Sequence, residues 1–256
     1  MAGIENPDGA CPVYLLRQAD RVLVLAQQLT AWITHAHELD EEVALANVAL
    51  DLIGQARALY SHVAELDGRE LSEDDYAYLR DDRQFLNPLL VEQPNGDFAQ
   101  TMVRQFLHDA YSHELWSALR DSADEHLAAI AGKAVKETAY HLRHAATWVV
   151  RLGDGTPESH RRTQTALDRL WRYTGELFEL DAVDRELIDA RVAPHPRSLH
   201  APWLSTVESV LRDAALSPPA DVPMASGGRD GLHGELLGRL LGEMQILQRT
   251  HPAVRW

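Results

Sequence analysis

Apolar residues recur at helical spacing along most of the chain, and no segment shows the strict alternation of a half-buried strand. The pattern predicts a first helix from Val13 to about His35. It is apolar on nearly every face (Val13, Leu15, Leu16, Val22 to Leu25, Leu29, Trp32, Ile33), as a fully buried helix is. A second is predicted from an Asp40 cap to about Leu66, stopped by Asp67-Gly68. Ser72 is placed to cap a short helix reaching Arg80. The stretch Gln84 to Gly96, with Pro88, Pro94 and Asn95-Gly96, predicts irregular chain. Asp97, with Gln100 at the capping-box position, opens a third long helix to about Arg120. Ser122 or Asp124 opens a fourth, to Leu152 before Gly153-Asp154-Gly155. Pro157 begins a fifth, to about Leu180, and residues 181–191 continue helically. Further helices are expected over Pro202 to Leu216 and Asp230 to Arg249.

The expectation is an all-α chain: a ferritin-like four-helix bundle core over about residues 13–152, with additional C-terminal helices over about 157–250. Together these form a single domain over 13–256, behind a flexible lead-in of residues 1–12. The long connection between the second and third long helices is the crossover that distinguishes ferritin-like bundles from up-and-down ones.

Composition narrows the function. With 256 residues, 45% of them apolar, the chain can bury a large core, and a formal charge of −15 argues against nucleic acid or an anionic membrane surface as partner. The single cysteine, Cys11, rules out an internal disulfide, a cysteine-rich zinc site and an iron–sulfur cluster. The N-terminus has no apolar signal region and no apolar run reaches membrane-spanning length, so a cytoplasmic, soluble protein is expected. Phosphate-binding and dinucleotide-binding glycine patterns, Gly-x-Ser-x-Gly and His-Glu-x-x-His do not occur.

The candidate chemistry lies in what the bundle lacks. A di-iron carboxylate bundle takes one Glu from each of two helices and a Glu-x-x-His from each of two others. Glu-x-x-His is absent here; the places that best match read Asp51-Leu-Ile-Gly54 and Glu137-Thr-Ala-Tyr140. Glycine offers no ligand, and a neutral phenol is a poor replacement for imidazole. Asn47, Asp51 and Gln55, four apart, share a face in an otherwise apolar stretch, which predicts a buried polar stripe needing a partner. The first helix has no Glu, only Asp20 and Gln27 at suitable spacing. The third offers Asp109, beside His108, His113 and Glu114. The two lysines, Lys133 and Lys136, both stand near Glu137, so a cation could replace the positive charge of the metal between Asp51 and Glu137. His141, one turn beyond Glu137, keeps open an atypical di-iron oxygenase or ferroxidase using Asp51, Asp109, Glu137 and His141. His35-x-His37 and Asp230-x-x-His233 are weaker pairs, and the abundant arginines leave room for a binding module for a CoA-type phosphate ligand.

Several blocks are longer and more specific than a shared architecture requires: Leu45 to Arg57, Arg80 to Phe85, Leu90 to Phe98, Lys136 to Arg143, Arg151 to Thr156, Leu170 to Phe178, and the closing stretch from Glu243 to Trp256. In these blocks the sequence resembles the C-subunit family of bacterial phenylacetyl-CoA epoxidases, the ring-1,2 monooxygenases of aerobic phenylacetate degradation. The likeness extends over essentially all of the chain beyond the first dozen residues. The resemblance implies a ferritin-like fold without a working iron site. It implies a structural, non-catalytic subunit, no enzyme by itself, that holds no cofactor and pairs with a catalytic A subunit; alone it could form a homo-oligomer. In that family the A subunit holds the di-iron centre and the CoA thioester, a small B subunit joins the assembly, and a separate reductase passes electrons from NADPH.

Overall fold

The computed structural model describes residues 4–251; the first three residues of the expected lead-in and the tail to Trp256 lie outside the described residues. The α-helices are α1 (Ala10–Thr30), α2 (Leu39–Asp67), α3 (Glu73–Tyr78), α4 (Leu89–Glu92), α5 (Phe98–Leu119), α6 (Glu125–Gly153), α7 (Pro157–Leu170), α8 (Ala182–Asp189), α9 (His200–Asp213) and α10 (Glu235–Thr250). Short 3-10 turns join several of them, and no strand occurs among the described residues. The fold is all-α, as the periodicity predicts. Among the described residues no helix is long and apolar enough to cross a membrane.

The chain divides into two compact units. One comprises residues 1–92 and 227–256, the other residues 93–226. The division falls inside the Gln84–Gly96 stretch, where the sequence predicts irregular chain.

In the first unit, α1 and α2 lie alongside each other, joined by residues 31–38. A connection this short makes the pair antiparallel. Every residue of α1 from Tyr14 to Ala26 is buried, as its all-round apolar pattern predicts. The helix starts at Ala10 and stops at Thr30, earlier at both ends than the spacing suggests, and the chain from Ala31 turns. Glu38, not Asp40, stands at the N-cap of α2; Asp40, Glu41 and Glu42 fall in the first turn, where negative charge suits the helix dipole. Gly68 ends α2 in the left-handed region, at φ 68°. Ser72 and Asp75 form a capping box on α3. Helix α10 returns from the far end of the chain to pack on α3 and α1, and the Gln245 amide donates to the carbonyls of Ala77 (3.1 Å) and Arg80 (3.0 Å). The approach needs Gly231, at φ 76°, where any Cβ would overlap the Arg83 carbonyl.

In the second unit, α5 and α6 form the other long pair, with α7 and α9 packed on both. Asp97 caps α5 and Asp124 caps α6, each side chain accepting from a backbone N–H three residues on. The Gln100 amide donates to the Pro94 carbonyl and does not complete a capping box. Trp203 of α9 is buried and donates its indole N–H to the Leu107 carbonyl of α5 at 3.1 Å. Phe178 packs against Trp203 and edge-on to Tyr111. The expected fifth helix is shorter than its pattern. Beyond Leu170 the chain tightens into two 3-10 turns, where the Thr174 hydroxyl donates to the Trp171 carbonyl. Helix α8 is then a separate piece with an Asp181–Asp184 capping box.

Candidate functional site

The positions where a di-iron bundle needs ligands are distributed over both units. On α2 the buried side is formed by Leu45, Val48, Ala49, Leu52, Ala56 and Leu59. Successive residues turn by about 100°, so Asp51 lies at the edge of that side. The expected buried polar stripe therefore holds only in part: Asn47 is exposed, Asp51 and Gly54 are half-buried, and Gln55 is buried. The apolar pattern misled because α2 is apolar on two sides, one of which faces outward.

On α6, Glu137 is half-buried and its Oε1 lies 3.2 Å from Lys133 Nζ. Lys133 is 75% exposed, so this is an i,i+4 pair at the helix surface, of the kind that contributes about 0.3–0.5 kcal/mol. Lys136 is exposed. Tyr140 is 44% exposed, stacked on His144, with Arg143 over its ring. His141 is buried on the opposite side, beside Thr138 and Ala145 in the helical pattern. Residue 140 thus presents an aromatic to the surface.

On α5, Asp109 is completely buried. Both of its oxygens accept from the Gln105 amide, at 2.8 and 2.9 Å, and Oδ1 lies 2.9 Å from His108 Nδ1. The His108 Nε2 is in turn 3.2 Å from the Ser112 hydroxyl. This chain Gln105–Asp109–His108–Ser112 lies on one helix and satisfies the carboxylate with local donors.

Asp20, on α1, shows how a buried carboxylate is balanced here. It has no exposed surface, and its partner is Arg80, also fully buried. Oδ2 accepts from Arg80 Nη1 at 3.1 Å and from the Leu86 backbone N–H at 2.7 Å. Oδ1 accepts from Arg80 Nη2 and from the Tyr60 hydroxyl, the latter at 2.5 Å. Arg80 also donates through Nε to the Tyr76 carbonyl (2.7 Å) and through Nη1 to the Gln84 carbonyl (2.9 Å). Its guanidinium lies over the Phe85 ring at 4.4 Å. Burial and the Asp20 charge raise the Tyr60 pKa well above its ordinary value. Burial disfavours the Arg80 charge, but Asp20 more than offsets it and raises its pKa.

A second buried pair closes the same unit. The Glu92 and His233 side chains are both nearly inaccessible, with Oε2 to Nδ1 at 2.7 Å; Nε2 lies 2.7 Å from the Phe85 carbonyl. Glu92 Oε1 accepts the Gly234 N–H at 2.9 Å, at the N-cap of α10. Burial opposes the charged imidazole, but the bonds to Glu92 and Phe85 outweigh it, and the His233 pKa is raised. Sequence reasoning placed Asp20 and His233 among weaker candidates and missed their partners. Arg80 and Glu92 lie in blocks that carry the family resemblance, the available signal. Asp230 takes part in a 3-10 turn, and His35 bonds Thr34 on an exposed turn.

One Glu-x-x-His place ends in Gly54, the other in a surface phenol. Asp20 is saturated by an arginine, a tyrosine and a backbone N–H, and Asp109 by an amide and an imidazole. Asp20 ties α1 to Tyr60 of α2 and to Arg80, whereas the Asp109 bonds stay within α5.

The comparisons agree with this class of helical protein. Residues 4–256 match the family described as "Phenylacetic acid catabolic protein". The chain belongs to that family, and its fold is accordingly an all-α, ferritin-like one. It is also 48% identical over 243 residues to the C subunit of the 1,2-phenylacetyl-CoA epoxidase of Escherichia coli (strain K12), covering 95% of this chain and 98% of that protein.

Proposed function

We propose that this chain is the C-type, non-catalytic subunit of a multicomponent phenylacetyl-CoA epoxidase in aerobic phenylacetate degradation. The observation that carries the reading is end-to-end identity of 48% to the C subunit of such an epoxidase. The residues at the ligand positions support the non-catalytic part: Gly54 and Tyr140 stand where histidines would be needed, and the fully buried carboxylates Asp20 and Asp109 have protein partners. The subunit's role is to hold a catalytic A subunit in an active arrangement. The iron and the CoA thioester reside in that A subunit, a small B subunit joins the complex, and electrons come from NADPH through a reductase. The assembly works in the cytoplasm.

The test is purification of the full chain with and without the A subunit, followed by iron analysis and epoxidation assays. A stable complex is expected, with iron following the A subunit and little in this chain alone. Two irons per chain in the isolated protein, with an oxygenase or ferroxidase turnover of its own, would favour an atypical di-iron enzyme instead. Absence of any complex with the A subunit would refute the subunit reading.

A further inference from the structure

Along the exposed side of α7 the second unit gathers arginines. Two of them are tied down: Arg161 and Arg162 donate to Glu158 at 2.8 and 2.7 Å, and Arg162 lies 3.5 Å from Asp97. Arg169, two turns further on, and Arg172, in the turn that follows the helix, are exposed. Neither has a carboxylate partner among the described residues. Both line one groove of about 440 Å3, whose other walls include Gln93, Pro94, Tyr173 and Val222. Asp168 is the acidic residue of the lining, and its Oδ1 accepts from the Gln164 amide at 2.8 Å. A third guanidinium stands behind the wall. Arg104 of α5 is completely buried and donates to the Gln93 carbonyl and, at 2.6 Å, to Asn95 Oδ1. Its Nε has no partner, and no carboxylate offsets its charge among the described residues. Burial lowers its pKa to about 9, which leaves it charged at neutral pH. Buried charges are ordinarily paired. One that is not projects its field to the nearest wet surface, here the Gln93 wall.

The charges at this groove define the ligand. Arg104, Arg169 and Arg172 set against Asp168 leave two positive charges, in a chain that carries −15 as a whole. The match is a small dianion. A phosphate monoester carries about −1.5 to −2 at pH 7, and guanidinium forks fit its oxygens. Arg169 and Arg172 are three residues apart on helical backbone, which brings their Cβ atoms to about 5–6 Å, near enough for both forks to take one phosphate. The rest of the groove is less polar: Pro94, Tyr173 and Val222 form walls against which a flat ring can lie. Arg172 is held over the edge of this region, 5.7 Å from the Tyr173 ring centre. We infer that the groove between Gln93–Pro94 and Arg169–Tyr173 binds a phosphate monoester that carries a flat ring, the chemistry of a mononucleotide or of the phosphoadenosine end of a CoA ester. The phosphate bridges Arg169 and Arg172, and the ring lies along Pro94 and Tyr173. The site goes beyond the subunit reading and does not depend on it.

The test is calorimetric titration of the full chain, without the A subunit, with AMP, adenosine, inorganic phosphate and CoA. Saturable AMP binding is expected, with adenosine and inorganic phosphate each weaker. Arg169→Ala/Arg172→Ala is expected to weaken AMP about 10-fold or more, as loss of charge-assisted hydrogen bonds does. As a control, Arg185→Ala/Arg212→Ala removes the same charge from exposed positions of α8 and α9 and is expected to bind as wild type does. No saturable AMP binding, or wild-type affinity in the Arg169/Arg172 variant, would overturn the site. Equal weakening in the control would also overturn it, by showing attraction to overall charge alone. Inorganic phosphate bound as tightly as AMP would overturn the role of the ring. CoA that displaces AMP identifies a CoA ester as a source of the ligand, and CoA that does not leaves a free mononucleotide; both support the site. Surface arginines are expected to leave the melting temperature unchanged. Should the Arg169/Arg172 variant melt lower, photolabelling of wild type with azido-AMP decides. Label within residues 93–100 or 169–173 supports the assignment, and label elsewhere or none refutes it. Association with the A subunit is a separate measurement, so failure of either reading leaves the other standing.

Discussion

Replacing Asp20 with asparagine removes a charge from the most enclosed ion pair of the first unit. In the wild type the carboxylate accepts four donors: both terminal nitrogens of Arg80, the Tyr60 hydroxyl and the Leu86 backbone N–H. The asparagine side chain keeps one acceptor oxygen and turns an NH2 group toward donors only. Arg80 then carries a positive charge with no exposed surface and no carboxylate beside it. Breaking a buried pair from one side costs about 3–5 kcal/mol. At about 2–4 °C per kcal/mol for a chain of this size, the melting temperature should fall by roughly 6–20 °C. Arg80→Met should cost a similar amount, since it strands the Asp20 charge. The double variant Asp20→Leu/Arg80→Met leaves no buried charge and should cost clearly less than the sum, with a coupling of about 2 kcal/mol or more. Denaturant unfolding of the four proteins supplies the cycle. A single-variant cost below about 1 kcal/mol, or a double variant that simply adds, would refute the view that this pair balances the buried charge of the unit.

Two other outcomes follow from the structure. His233 has its folded pKa raised above the ordinary value, so its pairing with Glu92 contributes fully below about pH 6.5 and is lost as pH rises through the folded pKa; the wild-type unfolding midpoint should drop as pH rises above about 6.5, a drop that His233→Gln should lack, and equal profiles for the two would disprove it. Gly153 ends α6 against the turn after α9, where a Cβ would overlap the Ala214 carbonyl oxygen and lie 2.8 Å from its Cβ, so Gly153→Ala should destabilise the second unit by about 1–3 kcal/mol in thermal unfolding; an unchanged melting temperature would show that the contact yields.

What could be read from the sequence was the local chemistry. Ser72, Asp97, Asp124 and Pro157 open helices, and Asp67-Gly68 closes one, because caps and left-handed stops act within a few residues. The all-round burial of α1 was legible for the same reason. Three things were not. The apolar stretch of α2 does not say which of its two sides is core; that depends on what packs against it. Asp20 meets Arg80 across 60 residues and Glu92 meets His233 across 141, and no periodicity encodes such pairings. The fifth helix keeps an apolar rhythm past Leu170, but Trp171 to Phe178 are held as tight turns by Thr174 and by the packing of Phe178 on Trp203. Family membership, by contrast, was carried by contiguous blocks and is borne out over residues 4–256.

The return of α10 to the first unit has a consequence for biosynthesis. The opening 92 residues emerge from the ribosome well before the segment that completes them. At about 5–20 residues per second the wait is roughly 8 to 32 s. During it the backbone oxygens of Ala77 and Arg80 and the acid group of Glu92 lack the atoms they will finally meet. The second unit, uninterrupted in sequence, has everything it needs sooner. Nascent chains should therefore mature from the middle outward, and clipping the last twenty residues would harm the beginning of the protein more than its centre.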